Sequence, residues 1–228
     1  METPPRLTPL LEQFDWGCLR LLNRMTGPEV DSGNGSPIPA SLMTDEEYFW
    51  EPVPGCWSVR RRSAGPGPRA TWLVGAGEWG RDGYTGKEPY PPPFTTIAWR
   101  LSHLTEMLAL RADYSTGSRS MTRDTFVVSG DAGSAAAALT EAVDAWRGTL
   151  LQSDDAALDT AGYSTYPYGS DAGEMFIDIV WWVNQEVLHH GAEIALLRDL
   201  YRDSAHRDSA HRDSAQRDGA GRDGAGRG

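Results

Sequence analysis

The sequence predicts an all-α fold: a four-helix bundle with a long crossover between its first and second helices, a small β-hairpin inside that crossover, and a disordered C-terminal repeat tail. Three observations predict it. Four segments repeat apolar residues at helical spacing. Nearly seventy residues separate the first two segments and carry turn and strand signals of their own. From Arg202 the chain reads RDSAH, RDSAH, RDSAQ, RDGAG, RDGAG, RG, a five-residue repeat with no large apolar residue and so no means of burying a core.

The first helix is expected over Thr8 to Met25. Pro9 suits the first helical position after a Thr cap, Leu11, Phe14, Cys18, Leu21, Leu22 and Met25 keep helical spacing, and "TGPE" ends it. In the crossover, "TDEE" (Thr44 to Glu47) is a capping-box signature for a short helix. "CWSVRR" and "ATWLVG" flank "SAGPGP" and suggest the hairpin. "GAGEWGRDGYTGKEPYPPP" then reads as a Gly/Pro/aromatic loop. A connection this long in a compact domain is a place where binding residues gather.

The second helix is expected over Thr95 to Asp113. Ile97, Leu101, Leu104 and Leu108 form one apolar row, with Trp99, His103, Met107 and Leu110 beside it; two adjacent rows imply heavy burial. The third, Ser134 to Gln152, carries Leu139, Val143, Trp146 and Leu150 on one face. The fourth starts near Ser170 and runs to about Arg202, with Phe176, Val180, Val183, Val187, His190, Ile194, Leu197 and Tyr201 alternating three and four apart, the pattern of a bundle helix. Residues 1–201 are thus one domain, and residues 202–228 the tail, where His206 and His211 read as solvated.

Composition excludes several functions. With 21 Lys+Arg against 32 Asp+Glu the net charge is −11, and Arg60-Arg61-Arg62 is too short to make a basic stripe, so nucleic acid is not an expected partner. The longest apolar run, "MFIDIVWWV", is too short to span a bilayer. No membrane partner is expected, and the N-terminus "METPPRLTP" lacks an apolar signal core, so the expected location is the cytoplasm. Cys18 and Cys56 are too few for a disulfide scaffold. Cys18 reads as a small core hydrophobe, and nothing near Cys56 in sequence would activate it. Nine Trp and eight Tyr are enough to pack a core and line a cavity. Trp57, Trp79, Tyr84 and Trp99 are the candidate wall residues.

The chemistry concentrates on the second and fourth helices. Glu186 and His190 are four residues apart and project about 40° apart around a helix, so both can address one object, while His189 is rotated by about 100° and turns away. His103, from a facing helix, can supply a third ligand. Two imidazoles and a carboxylate suit zinc, nickel, iron or manganese, zinc being the first choice, and leave a coordination position open. A satisfied core histidine and a surface Glu–His pair are the plainer alternatives. The cost of an unpaired carboxylate near a core weighs against them.

"MTDEEYFWEPVPGCWSVR" (43–60), "TTIAWRLSHLTEML" (95–108) and "WWVNQEVLHHGAEIALLRDLY" (181–201) together resemble an actinobacterial DinB-like protein. The resemblance spans the body and excludes the tail. It implies the DinB/YfiT-like bundle and a metal held by His103, Glu186 and His190. Many members have a second histidine where Glu186 stands. The His/Glu/His set is similar to that of the metal-binding domain of mycothiol-dependent maleylpyruvate isomerases, whose extra C-terminal domain this chain replaces with the repeat. The activity so implied is a thiol S-transferase that activates a small thiol such as mycothiol for attack on an electrophilic substrate. A metal-dependent hydrolase is a second expectation, with Glu106 and Glu193 as candidate bases only by their place in the sequence. A non-enzymatic stress-response module, forming a homodimer through a helix face, is a third.

Overall fold

A computed structural model of the chain describes residues 3–27, 42–166, 168–169 and 171–223, the last stretch from 208 onward as backbone only. The four long runs are helices α1 (Thr8–Thr26), α3 (Ile97–Thr116), α4 (Ala132–Leu151) and α6 (Phe176–Asp223). Two short helices, α2 (Asp45–Phe49) and α5 (Asp155–Leu158), lie between them. α3 packs on α4 and α6, and α1 packs on the same two helices from the opposite corner. Most residues of the stripes read from the sequence lie in the core, joined there by Leu7, Tyr48, Val59, Phe126 and Val128. Leu101, Leu104, Leu108, Leu150, Trp146, Phe176, Val180 and Val183 have no solvent-exposed surface. Among the described residues no helix is long and apolar enough to cross a membrane.

Helix ends depart from the sequence reading in three places. At α1 no threonine cap forms. The chain already turns at Pro4, whose carbonyl accepts the Leu7 and Thr8 N–H groups, and Thr8 Oγ1 donates to the same carbonyl. Residues 28 and 29 of "TGPE" lie outside the described residues, as does the expected start of the last helix at Ser170; α6 begins at Phe176. The end of that helix near Arg202 is corrected: α6 continues through the repeat to Asp223. The repeat sets an Asp four residues ahead of an Arg each time, a pairing that supports a helix, and Asp203 does bind Arg207. Arg198 is nevertheless the last buried residue among those described.

The crossover contains a three-stranded antiparallel sheet in the order β1 (Val59–Arg61), β3 (Trp79–Gly83), β2 (Trp72–Val74). The two segments expected to pair with each other are both strands, but the hairpin is β2–β3, and β1 joins the far edge of β3 with Val59 opposite Arg81. β3 was hidden because "WGRDG" has the composition of a loop. Its glycines are there for close approach: a Cβ on Gly80 would stand 2.7 Å from Leu73 Cβ, and one on Gly83 2.8 Å from Trp72 Nε1.

Two polar devices anchor the crossover. Asp82, fully buried, accepts from Ser58 N–H, Gly67 N–H and Arg60 Nε at 2.8–2.9 Å. The capping box is half used: Thr44 Oγ1 accepts from Glu47 N–H, but the Glu47 side chain instead takes Arg198 of α6 at 2.6 and 3.1 Å. Trp57 N–H donates to Phe94 O, and Thr96 N–H to Trp57 O, so the sheet is laid against the start of α3.

Candidate metal centre

α3 starts where Thr96 Oγ1 accepts the Trp99 N–H, which fixes the phase that carries Trp99, Arg100 and His103 towards α6. Glu186 and His190 stand one turn apart on α6 and meet them. One ligand atom from each of His103, Glu186 and His190 lies within 4.8 Å of the others. Glu186 Oε2 is 3.5 Å from His103 Nε2 and 3.4 Å from His190 Nε2. A direct charge-assisted hydrogen bond closes to about 2.8 Å, and these contacts do not. Bonds of about 2.0–2.1 Å at tetrahedral angles set donor atoms about 3.4 Å apart. The two separations to Glu186 therefore fit a four-coordinate divalent ion better than they fit hydrogen bonds. The side chains are 29%, 23% and 13% exposed for His103, Glu186 and His190, so the convergence point is reachable from outside.

The protonation states suit ligation. Desolvation lowers the His103 pKa, more than Glu186 raises it, and keeps the ring neutral. The His103 ring, then the His190 ring, facing its Oε2 hold Glu186 well below the usual carboxylate range.

The rings are oriented from behind. His190 Nδ1 is 2.8 Å from Glu193 Oε2, so Nδ1–H donates and the Nε2 lone pair is turned to the convergence point. Glu193 is itself held by Arg100 of α3. His103 stacks on Trp99 at 5.3 Å and meets His190 edge-on at 5.0 Å. His189 turns outward, 65% exposed, as its phase requires, although its Nε2 still reaches Glu193 Oε1 at 3.3 Å.

Of the four expected wall residues, three form a continuous path to His103. Tyr84 lies 6.2 Å from Trp57, Trp57 6.5 Å from Trp99, and Trp99 stacks on His103. Trp57 is buried and Tyr84 is exposed. Trp79 lies outside this path; it stacks on Phe49 at 5.6 Å beneath the Arg61 guanidinium. Glu106 and Glu193, the candidate bases, are both engaged by arginines. Glu106 is buried between Arg81 and Arg123. Burial alone would raise its pKa, but the two arginines outweigh burial and lower it. Arg81 in turn lies 5.2 Å from the Trp99 ring. Burial pushes the Cys18 thiol up to about 12. It also raises Cys56, which donates to Val53 O. Neither is an activated nucleophile.

The sequence reading missed Arg100 altogether. Helical phase carried the signal: Arg100 is three residues before His103, and Glu193 three after His190.

Residues 82–194 match the family model described as the DinB superfamily. That segment holds His103, Glu186, His190, Arg100 and Glu193, and the match is to the superfamily as a whole. No curated protein and no solved structure gives a significant match to the chain.

Proposed function

Because residues 82–194 belong to the DinB superfamily, which is often metal-associated, we propose that the chain binds a divalent metal, zinc first among the candidates, through His103 Nε2, Glu186 and His190 Nε2. It uses that metal as a thiol S-transferase. The observation that carries the metal reading is the pair of 3.4–3.5 Å separations around Glu186, with His190 turned by Glu193. A cation held there lowers the pKa of a thiol brought to its open position, making the thiolate at neutral pH. The chain's own residues do the rest. Glu186 supplies the one ligand charge. Glu193 and Arg100 hold His190 in a single tautomer. Trp99 stacks on His103 with Trp57 beside it, and Tyr84 marks the exposed end of that wall. The thiol is a low-molecular-weight one such as mycothiol, and its partner is an electrophilic small molecule.

The hydrolytic reading is weaker. It needs a free carboxylate to take a proton from water, and both candidates are engaged with arginines. The test adds mycothiol and monochlorobimane to metal-loaded protein. Turnover is expected for the native chain and not for His103→Ala. Equal rates in the two would overturn the transferase reading, and turnover of esters without added thiol would favour hydrolysis.

A further inference from the structure

A second cleft opens along the same α3–α6 groove, away from the histidines. Arg111 is eight residues beyond His103 on α3, and Trp182 is four residues before Glu186 on α6, which by helical rise sets the cleft about 6–12 Å from the triad. Its volume is about 620 Å³, within the usual range for small-molecule sites. Tyr166, Tyr168, Trp181 and Trp182 form its apolar walls. Among the described residues that line it, the charged groups are one cation, Arg111, and three carboxylates, Asp171, Glu174 and Asp178.

The cation is already engaged. Arg111, 2% exposed, donates to Ser164 O at 2.7 Å and to Asp171 Oδ2, and its guanidinium lies 4.3 Å from the Tyr166 ring and 5.2 Å from that of Trp182. The carboxylates are not used up. Asp171 Oδ1 is buried without a partner. The Glu174 and Asp178 side chains are exposed at the cleft, with no ion pair among the described residues. An unpartnered acceptor calls for a donor, aromatic walls attract a cation, and surplus negative charge repels an anion.

The geometry points to a small organic ammonium, a primary amine on an aromatic or aliphatic body, as the ligand of this cleft. The ammonium addresses Asp171 with Glu174 or Asp178, and the body lies against Trp181 and Trp182. As a recognition group carried by the electrophilic co-substrate of the metal centre, such an ammonium rests on the function proposed above. As a bound ligand it does not, because the cleft shares no residue with the triad.

The test is calorimetric titration of the full chain with phenethylamine, neutral 2-phenylethanol and anionic 3-phenylpropanoate, with and without a chelator. The amine is expected to bind about tenfold tighter than the alcohol, one unit of log affinity for the added charge contacts, and chelator is expected to change nothing. Glu174→Gln combined with Asp178→Asn is expected to remove most of that preference and leave alcohol binding unchanged. Arg111 Nε also lacks a partner and Arg123 lies 4.6 Å from the Tyr168 ring; both favour an anion, so preferential binding of the carboxylate would overturn the assignment. Equal binding of amine and alcohol, no binding of either at millimolar concentration, or an amine preference that survives the double substitution would each overturn it too. Amine binding retained in His103→Ala, alongside lost metal, would show that the two sites stand or fall separately.

Discussion

Glu47 and Arg198 meet as a closed pair, whereas His103, Glu186 and His190 meet as an open triad. Both sets join another part of the chain to α6, and both place charge beside the core. Glu47 and Arg198 are 3% and 2% exposed and touch at 2.6 and 3.1 Å, each using the other's polar atoms. The triad is several times more exposed, and both imidazoles stand 3.4–3.5 Å from Glu186 Oε2. A polar group in a core is tolerated when it is satisfied. The first set is satisfied by the fold. The second leaves its facing atoms beyond close hydrogen-bond distance, with room for an added ligand.

That contrast breaks most visibly at Glu47. Glu47→Ala takes the carboxylate from a buried guanidinium and is expected to cost about 3–5 kcal/mol of stability, read by chemical denaturation. Metal content per folded molecule should not change. A loss near zero would mean that the pair is not the closed structural device described.

Glu186→Ala makes the converse test. Metal affinity is expected to fall more than 100-fold, beyond what loss of a supporting residue alone produces, measured by elemental analysis and competition with a chelator. Stability of the metal-free protein should move by only about 1 kcal/mol or less. Equal metal in native and variant protein would remove the triad from every catalytic role given to it. Glu193→Ala should fall between, weakening metal binding about 10–100-fold through a freed His190 ring.

What could be read from the sequence follows the same division. The bundle stripes and the triad were legible because helical phase turns spacing into direction: Glu186 and His190 had to share a face, and His189 had to leave it. The sheet was only half legible, since β3 is built from "WGRDG", where close approach selects glycine and ion pairing selects Arg81 and Asp82. Neither choice leaves an alternating apolar pattern. Trp79 was grouped with the site because aromatic content marks burial without saying which cavity is lined. Arg100 and the Arg111 cleft escaped because an arginine in an amphipathic helix looks solvated until the partner element is known.

The smallest effect is expected at the chain's end, where the sequence suggested a tail and the backbone is a continued helix. Tyr201 still meets Trp50 edge-on at 5.7 Å, but no residue beyond Arg198 is buried among those described, and what the repeat sequence itself offers a helix is local: Ala content and Asp–Arg spacings of four, each worth about 0.2–0.5 kcal/mol and screened by salt. Local support of that kind does not couple to the core. Removing residues 208–228 is expected to shift the unfolding free energy of the bundle by less than about 0.5 kcal/mol and to leave metal content unchanged. Helical circular dichroism should fall by no more than the removed residues contribute, and high salt should lower the helicity of the full chain more than that of the truncated one. A larger loss of stability would mean that the repeat packs on the bundle, and would move the domain boundary beyond residue 201.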